Sequence, residues 1–186
     1  SMTPALPALG QAAPEQALTV TLPTASFDTS VPIATVIIQP LTTTNIDPLL
    51  NYVGFQGDFT YDSAVVGFAT PQVQGSDLTG SNWNVSSNIL NTGPGTLKTL
   101  RISAFSLDFT PLNGSGTLFN LRMLRVSNTA GDTSPLVWKP SPDYFFFIDA
   151  DLGSHVPDQN NGLITITGQQ PTPSPTATAT ATATAT

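Results

Sequence analysis

The stretch VGFQGDFTYDSAVVGF (Val53–Phe68) reads as a strand, a tight turn and a second strand. Successive side chains of an extended chain point to opposite faces. Val53, Phe55, Phe59 and Tyr61 therefore share one face, and Gly54, Gln56, Asp58 and Thr60 the other. Asp62-Ser63 supplies the turn, and Val65–Ala69 runs back. An apolar face set against a polar one, at period two, is the signature of a half-buried strand.

The same period recurs on both sides of this stretch. Leu18, Val20 and Leu22 alternate with threonines, and Ile33–Ile38 is apolar enough for a strand buried on both faces. Asp47-Pro48 predicts a short helical turn, with the carboxylate as cap and proline in the first turn. Trp83–Ser86 and Leu97–Phe105 flank the turn-rich NTGPG (Asn91–Gly95) and read as a hairpin. In its second arm Leu100, Ile102 and Ala104 face inward, and Thr99, Arg101 and Ser103 outward. Beyond NGSG (Asn113–Gly116), Phe119, Leu121 and Met123 alternate with polar residues. A phase slip at Leu124 and Val126 predicts a β-bulge. Leu136–Trp138, Tyr144–Ile148 and Leu163–Thr167 complete roughly nine strands with no long helix, the pattern of an all-β sandwich. The expected core is Val53, Phe55, Phe59, Tyr61, Leu100, Ile102, Phe119 and Leu121.

The domain so read spans residues 16–168. Residues 1–15 form an N-terminal tag or linker, with Ser1-Met2 reading as an expression scar. Residues 169–186 are a Pro/Thr/Ala-rich linker. The Thr-Ala alternation of that tail would also suit a strand added to the edge of a neighbouring sheet. Only 9% of residues are charged, against about 25% in ordinary soluble domains, so the surface is built from Thr, Ser, Asn, Gln and Gly. This composition and the linker point to a secreted or cell-surface protein of bacterial type. A net charge of −7 disfavours nucleic acid and anionic membrane as partners, and no segment is long and apolar enough for membrane insertion. The five basic residues, Lys98, Arg101, Arg122, Arg125 and Lys139, are expected to form one basic island if strands bring them together. Without cysteine there are neither disulfides nor thiolate metal sites.

The order of these segments resembles the cohesin domains of bacterial cellulosomes. The matching pieces are GFQGDFTYDSAVVGF (Gly54–Phe68), TLKTLRISAFS (Thr96–Ser106), GSGTLFNLRMLRV (Gly114–Val126), FFFIDAD (Phe145–Asp151) and NGLITITG (Asn161–Gly168). The resemblance implies a nine-stranded jelly-roll β-sandwich, of the carbohydrate-binding-module-like superfamily, that binds a protein partner on one sheet face. In cellulosomes that partner is a dockerin, a small calcium-loaded helical module. Where the family often carries Asn and Asp contacts, this chain has Gly54 and Gln56. The expected partner-binding residues are Gln56, Asp58 and Thr60 on one strand, Thr99, Arg101 and Ser103 on its neighbour, and Asn84 and Ser86 on the next. Arg101 is expected at the middle of this face.

Other chemistry fares worse. Asp149, Asp151 and Asp158 are weak candidates for a structural calcium, because the loop lacks a third EF-hand acid and a closing Glu. No cofactor is otherwise expected. His155 is the sole histidine, no Gly-x-Ser-x-Gly elbow accompanies it, and Glu15 is the sole glutamate, so the chain does not read as an enzyme. Trp83, Trp138 and Tyr144 offer an alternative function as a sugar-stacking platform, although two tryptophans among ten phenylalanines fit a core better. Asn84-Val-Ser86 and Asn113-Gly-Ser115 match the glycosylation acceptor and are given no role. A third reading is a surface-layer or filament subunit assembled by strand addition.

Overall fold

The computed structural model describes residues 17–91 and 93–168. The two terminal segments expected to be a tag and a linker lie outside the described residues. The strands are β1 (Thr19–Thr21), β2 (Thr24–Asp28), β3 (Ile37–Ile46), β4 (Tyr52–Asp62), β5 (Val66–Gly75), β6 (Trp83–Ile89), β7 (Leu97–Ser106), β8 (Gly114–Arg125), β9 (Thr133–Trp138), β10 (Phe146–Asp149), β11 (Ser154–His155), β12 (Asp158–Asn160) and β13 (Gly162–Thr167). One sheet has the order β12-β1-β3-β8-β5; the other runs β11-β10-β4-β9-β13-β2, with β7 on β4 and β6 on β7. The two pack face to face as a β-sandwich. Its thirteen strands exceed the roughly nine expected, β2, β11 and β12 among them carrying too little apolar alternation to show in the sequence.

Strand β4 organises the second sheet. One edge pairs with β7 from Gly54 to Asp62; the other pairs with β10 at Tyr52–Gln56 and with β9 at Phe59–Thr60. Between β9 and β10 the chain stays on this edge, since Lys139 N donates to Asp58 O and Asp58 N to Asp143 O. Gly57 lies at the junction because a Cβ there would sit 2.7 Å from the Phe145 Cα. Phe145 thus enters the core, where Phe55 meets it at 5.5 Å between ring centroids and meets Phe119 of the opposite sheet at 5.7 Å.

Seven of the eight expected core residues are buried; Val53 is not. The pairing of β4 with β10 slips there, Gly54 lying opposite Ile148 and Tyr52 opposite Asp149. Val53 is the extra residue of a bulge, so the inward phase passes from Phe55 to Tyr52, which stacks on Phe147 at 4.8 Å. The bulge expected at Leu124 is elsewhere: Leu41 and Thr42 of β3 face Phe119 and Thr117, which leaves Leu118 over. At Leu124 the alternation simply continues, because Arg125 takes an inward position. Its guanidinium donates to the carbonyls of Thr29, Val31 and Ser127 and to Asn128 Oδ1. The segment Ile33–Ile38 also departs from expectation. Its first residues form a turn, the strand starts at Ile37, and Ile33 and Ile38 are exposed. The helical turn at Pro48–Leu50 is present, with Asp47 accepting from Leu49 N at 2.9 Å.

Candidate partner-binding face

Pairing in register turns the outer surface of β10, β4, β7 and β6 into rows of side chains. One row runs Phe146, Gln56, Ser103, Ser86. The row on one side is Ile148, Gly54, Phe105, Asn84, and on the other side Asp58, Arg101 and Asn88 follow. Four adjacent strands give a broad surface, with Gln56, Ser103 and Ser86 polar along its middle row and Phe105 exposed in the row beside it. Gly54 keeps its row low: a Cβ there would be 3.2 Å from the Ala104 carbonyl and 3.6 Å from the Ile148 Cβ.

The eight sequence-derived candidates all fall on β4, β7 and β6, but they are not equally presented. Asn84 and Ser86 are exposed, while Gln56, Thr60 and Ser103 are half-buried. Ser86 Oγ donates to the Ser103 carbonyl at 3.2 Å, which tethers β6 to β7 within the row. Thr99 is buried, its backbone N donating to Asn91 Oδ1, and it offers a partner almost nothing. Asp58 is 1% exposed. Its carboxylate takes two parallel bonds from Arg101, Nε to Oδ1 at 2.7 Å and Nη2 to Oδ2 at 2.8 Å. The Pro140–Asp143 segment covers it, and Asp143 adds a second carboxylate 3.3 Å from Arg101 Nη2. Arg101, expected at the middle of this face, is thus engaged within the chain and is not a free cation there. One guanidinium between two aspartates makes the middle of the face slightly acidic, and the first task of Arg101 is to neutralise a buried carboxylate. The hydrogen bond to Asp58 raises the Arg101 pKa further above its ordinary value.

The single basic island does not form either. Lys98 and Arg101 lie on β7, whereas Arg122 and Arg125 lie on β8 in the opposite sheet. Phe105, Phe146, Ile148 and Asn88 belong to the face and were not among the candidates. Phe105 was legible, since outward Arg101 and Ser103 place it outward too; the run Phe145–Phe147 gave no such phase.

The loop read as a weak calcium candidate has other work. Asp149 Oδ1 accepts from Asp151 N and Gly153 N, and its Oδ2 lies 2.6 Å from His155 Nε2. These contacts, the His155 hydrogen bond first, hold the Asp149 pKa below the ordinary carboxylate range. Among the described residues no group of three or more His, Cys, Asp or Glu is placed to hold a metal ion. Trp83 and Trp138 are buried and Tyr144 half-buried, so no sugar-stacking platform of these three exists. Trp83 packs on Phe55, and Trp138 sits between Phe59 and Phe145.

No protein-family model matches the sequence, and no curated protein does. Solved structures do match. A type I cohesin–dockerin complex from Clostridium thermocellum aligns with a TM-score of 0.63 at 13% identity, over 81% of this chain and 99% of that one. A non-cellulosomal cohesin from the archaeon Archaeoglobus fulgidus gives 0.57 at 16% identity, over 81% and 91%. A type III cohesin module from a cell-surface anchoring scaffoldin of Ruminococcus flavefaciens gives 0.58 at 8%, over 81% and 88%. At these identities the likeness is one of fold: the chain is a β-sandwich of the cohesin type.

Proposed function

Taking the cohesin fold as premise, we propose that the protein is a non-catalytic, extracellular protein-binding module. It recruits a dockerin-like partner through the outer face of β10, β4, β7 and β6. The observation that carries this reading is the run of in-register rows across four strands, with Gly54, Gln56, Ser103 and Ser86 low at the centre. Such a surface suits a flat-sided partner better than a small ligand, which needs a concave pocket. The solved structures of like fold include cohesins in complex with dockerins, which supports the choice of partner class. The Pro/Thr/Ala-rich segment 169–186 then serves as a linker that tethers the 16–168 domain to a larger secreted or cell-surface protein.

The experiment is a pull-down with a panel of calcium-loaded dockerin-like modules, followed by affinity measurement on variants. Gln56→Ala and Ser103→Arg are expected to weaken capture at least about tenfold, since both alter the centre of the face. Arg122→Ser on the opposite sheet is expected to leave it unchanged. Equal affinity for all three variants, with the fold intact, would place binding elsewhere.

A further inference from the structure

Three connections meet at one end of the sandwich: β3 to β4, β7 to β8, and β10 to β11. Ala150 N donates to Asn51 O and Leu112 N to Tyr52 O, which ties all three together. Among the described residues, the non-glycine residues with positive φ are Asn51 (57°), Phe109 (62°) and Leu152 (67°), one in each connection. For Phe and Leu this left-handed backbone is costly and persists only where the surroundings impose it. An aspartate in or beside each connection accepts hydrogen bonds from its backbone. Asp47 accepts from Leu49 N, Asp108 from Thr110 N, and Asp149 from Asp151 N and Gly153 N.

These rigid turns hold large apolar side chains in water. Leu49 is 89% exposed, Phe109 73% and Leu152 83%. Phe109 and Leu152 flank a groove of about 380 Å³ whose floor includes Val53, Gly54 and Ile148. Scattered apolar residues on a surface are ordinary, but Phe109 and Leu152 rimming one groove from strained, hydrogen-bonded turns mark an interaction site. Charge narrows the occupant. Residues 47–52, 105–112 and 149–156 contain four aspartates, no Lys and no Arg. Their one histidine is already engaged by Asp149. A second copy would bring like charges together, and an anionic membrane would be repelled.

We infer that this end of the molecule is a second interaction surface, which binds a basic amphipathic segment of a partner protein. Apolar side chains of that segment enter the groove between Phe109 and Leu152, and its Lys or Arg side chains meet Asp47, Asp108 and Asp151. This surface adjoins the polar sheet face, with which its groove shares Gly54, Ser103, Phe105 and Ile148, but Phe109 and Leu152 lie outside the residues varied above and test it separately.

The test titrates the isotope-labelled protein with a synthetic helix that has leucines on one side and lysines on the other, while following amide chemical shifts. A control helix carries glutamate in place of lysine. Shifts are expected to concentrate in 47–52, 105–112 and 149–156, with little from the glutamate helix. A Phe109→Asn/Leu152→Asn double variant removes both apolar groups, and asparagine tolerates the left-handed backbone, so folding is kept. It is expected to bind the lysine helix at least about tenfold more weakly. Asp151→Asn, a smaller change at an exposed side chain, is expected to weaken binding by a lesser factor. Unchanged binding by the double variant, equal binding of both helices, or shifts spread over the whole acidic surface would overturn the inference. So would concentration-dependent self-association that the double variant abolishes, since the occupant would then be a second copy.

Discussion

Replacing Arg101 with methionine is expected to cost more stability than replacing Asp58 with asparagine, although the two form one ion pair. The asymmetry follows from burial. Asp58 is 1% exposed, so loss of Arg101 strands a carboxylate in a site closed by the Pro140–Asp143 segment. Breaking a buried pair in this way costs about 3 kcal/mol. The Arg101 side chain is 37% exposed and keeps Asp143 and water when Asp58 is neutralised. Asparagine preserves one acceptor, so that change is expected to cost only about 1 kcal/mol. A double variant should cost less than the sum, with a coupling of about 1–2 kcal/mol for residues in direct contact. Urea unfolding, followed by fluorescence of the buried Trp83 and Trp138, supplies all three values on one scale. Additive single effects, or a methionine variant within about 0.5 kcal/mol of wild type, would refute the assignment of Arg101 as the counter-ion of a buried acid. The cycle also bears on function, because lost partner binding in an Arg101 variant would first have to be separated from a weakened sheet.

Gly57→Ala places a methyl 2.7 Å from the Phe145 backbone, and thermal unfolding should register a loss of about 2–3 kcal/mol as β4 and that segment move apart. Arg125→Met leaves three carbonyls without their donor, so hydrogen exchange should rise first at Thr29–Val31, with about 2–3 kcal/mol lost overall. Leu152→Gly removes left-handed strain at an exposed site and should hold or raise the melting temperature, by about 1 kcal/mol at most. Asp108 is held at about 2, chiefly by the Thr110 hydrogen bonds and then by Asn82 and Ser106. A depressed folded-state value gives stability that is present above the unfolded carboxylate pKa of about 4 and lost as pH falls through about 2. Asp108→Asn should therefore flatten the acid limb of the stability–pH curve and leave its neutral limb parallel to wild type.

The sandwich was legible because period two survives in nearly every long strand: Phe55, Phe59, Tyr61, Leu100, Ile102, Phe119 and Leu121 are all buried as their phase requires. Local exceptions escaped because they depend on partners distant in sequence. The bulge that turns Val53 outward exists in the pairing with β10, about ninety residues on, and leaves no mark in β4 itself. Arg125 reads as an outward break in an apolar run, yet carbonyls from the Thr29–Val31 turn let it occupy an inward position. Apolar content alone made Ile33–Ile38 look like a buried strand; Pro32 and the turn after it keep the first half out of the sheet. On the candidate face, alternation placed Gln56, Ser103, Asn84 and Ser86 outward. It was silent on the cover over Asp58, which a later connection supplies. Least legible was the apolar end of the sandwich, since Phe109 and Leu152 carry none of the glycine or asparagine signals by which left-handed turns are recognised.

The central claim concerns which sheet receives the partner. Titration calorimetry of the full chain against a captured dockerin-like module, wild type beside Ser103→Arg, tests it most directly. Ser103 lies at the crossing of β4, β7 and β6, opposite Gln56 and Ser86, where an arginine side chain would stand above an otherwise low row. The account predicts saturable one-to-one binding by the wild type and at least about a tenfold loss in the variant, with its melting temperature unchanged. Undiminished affinity in a folded Ser103→Arg protein would contradict it.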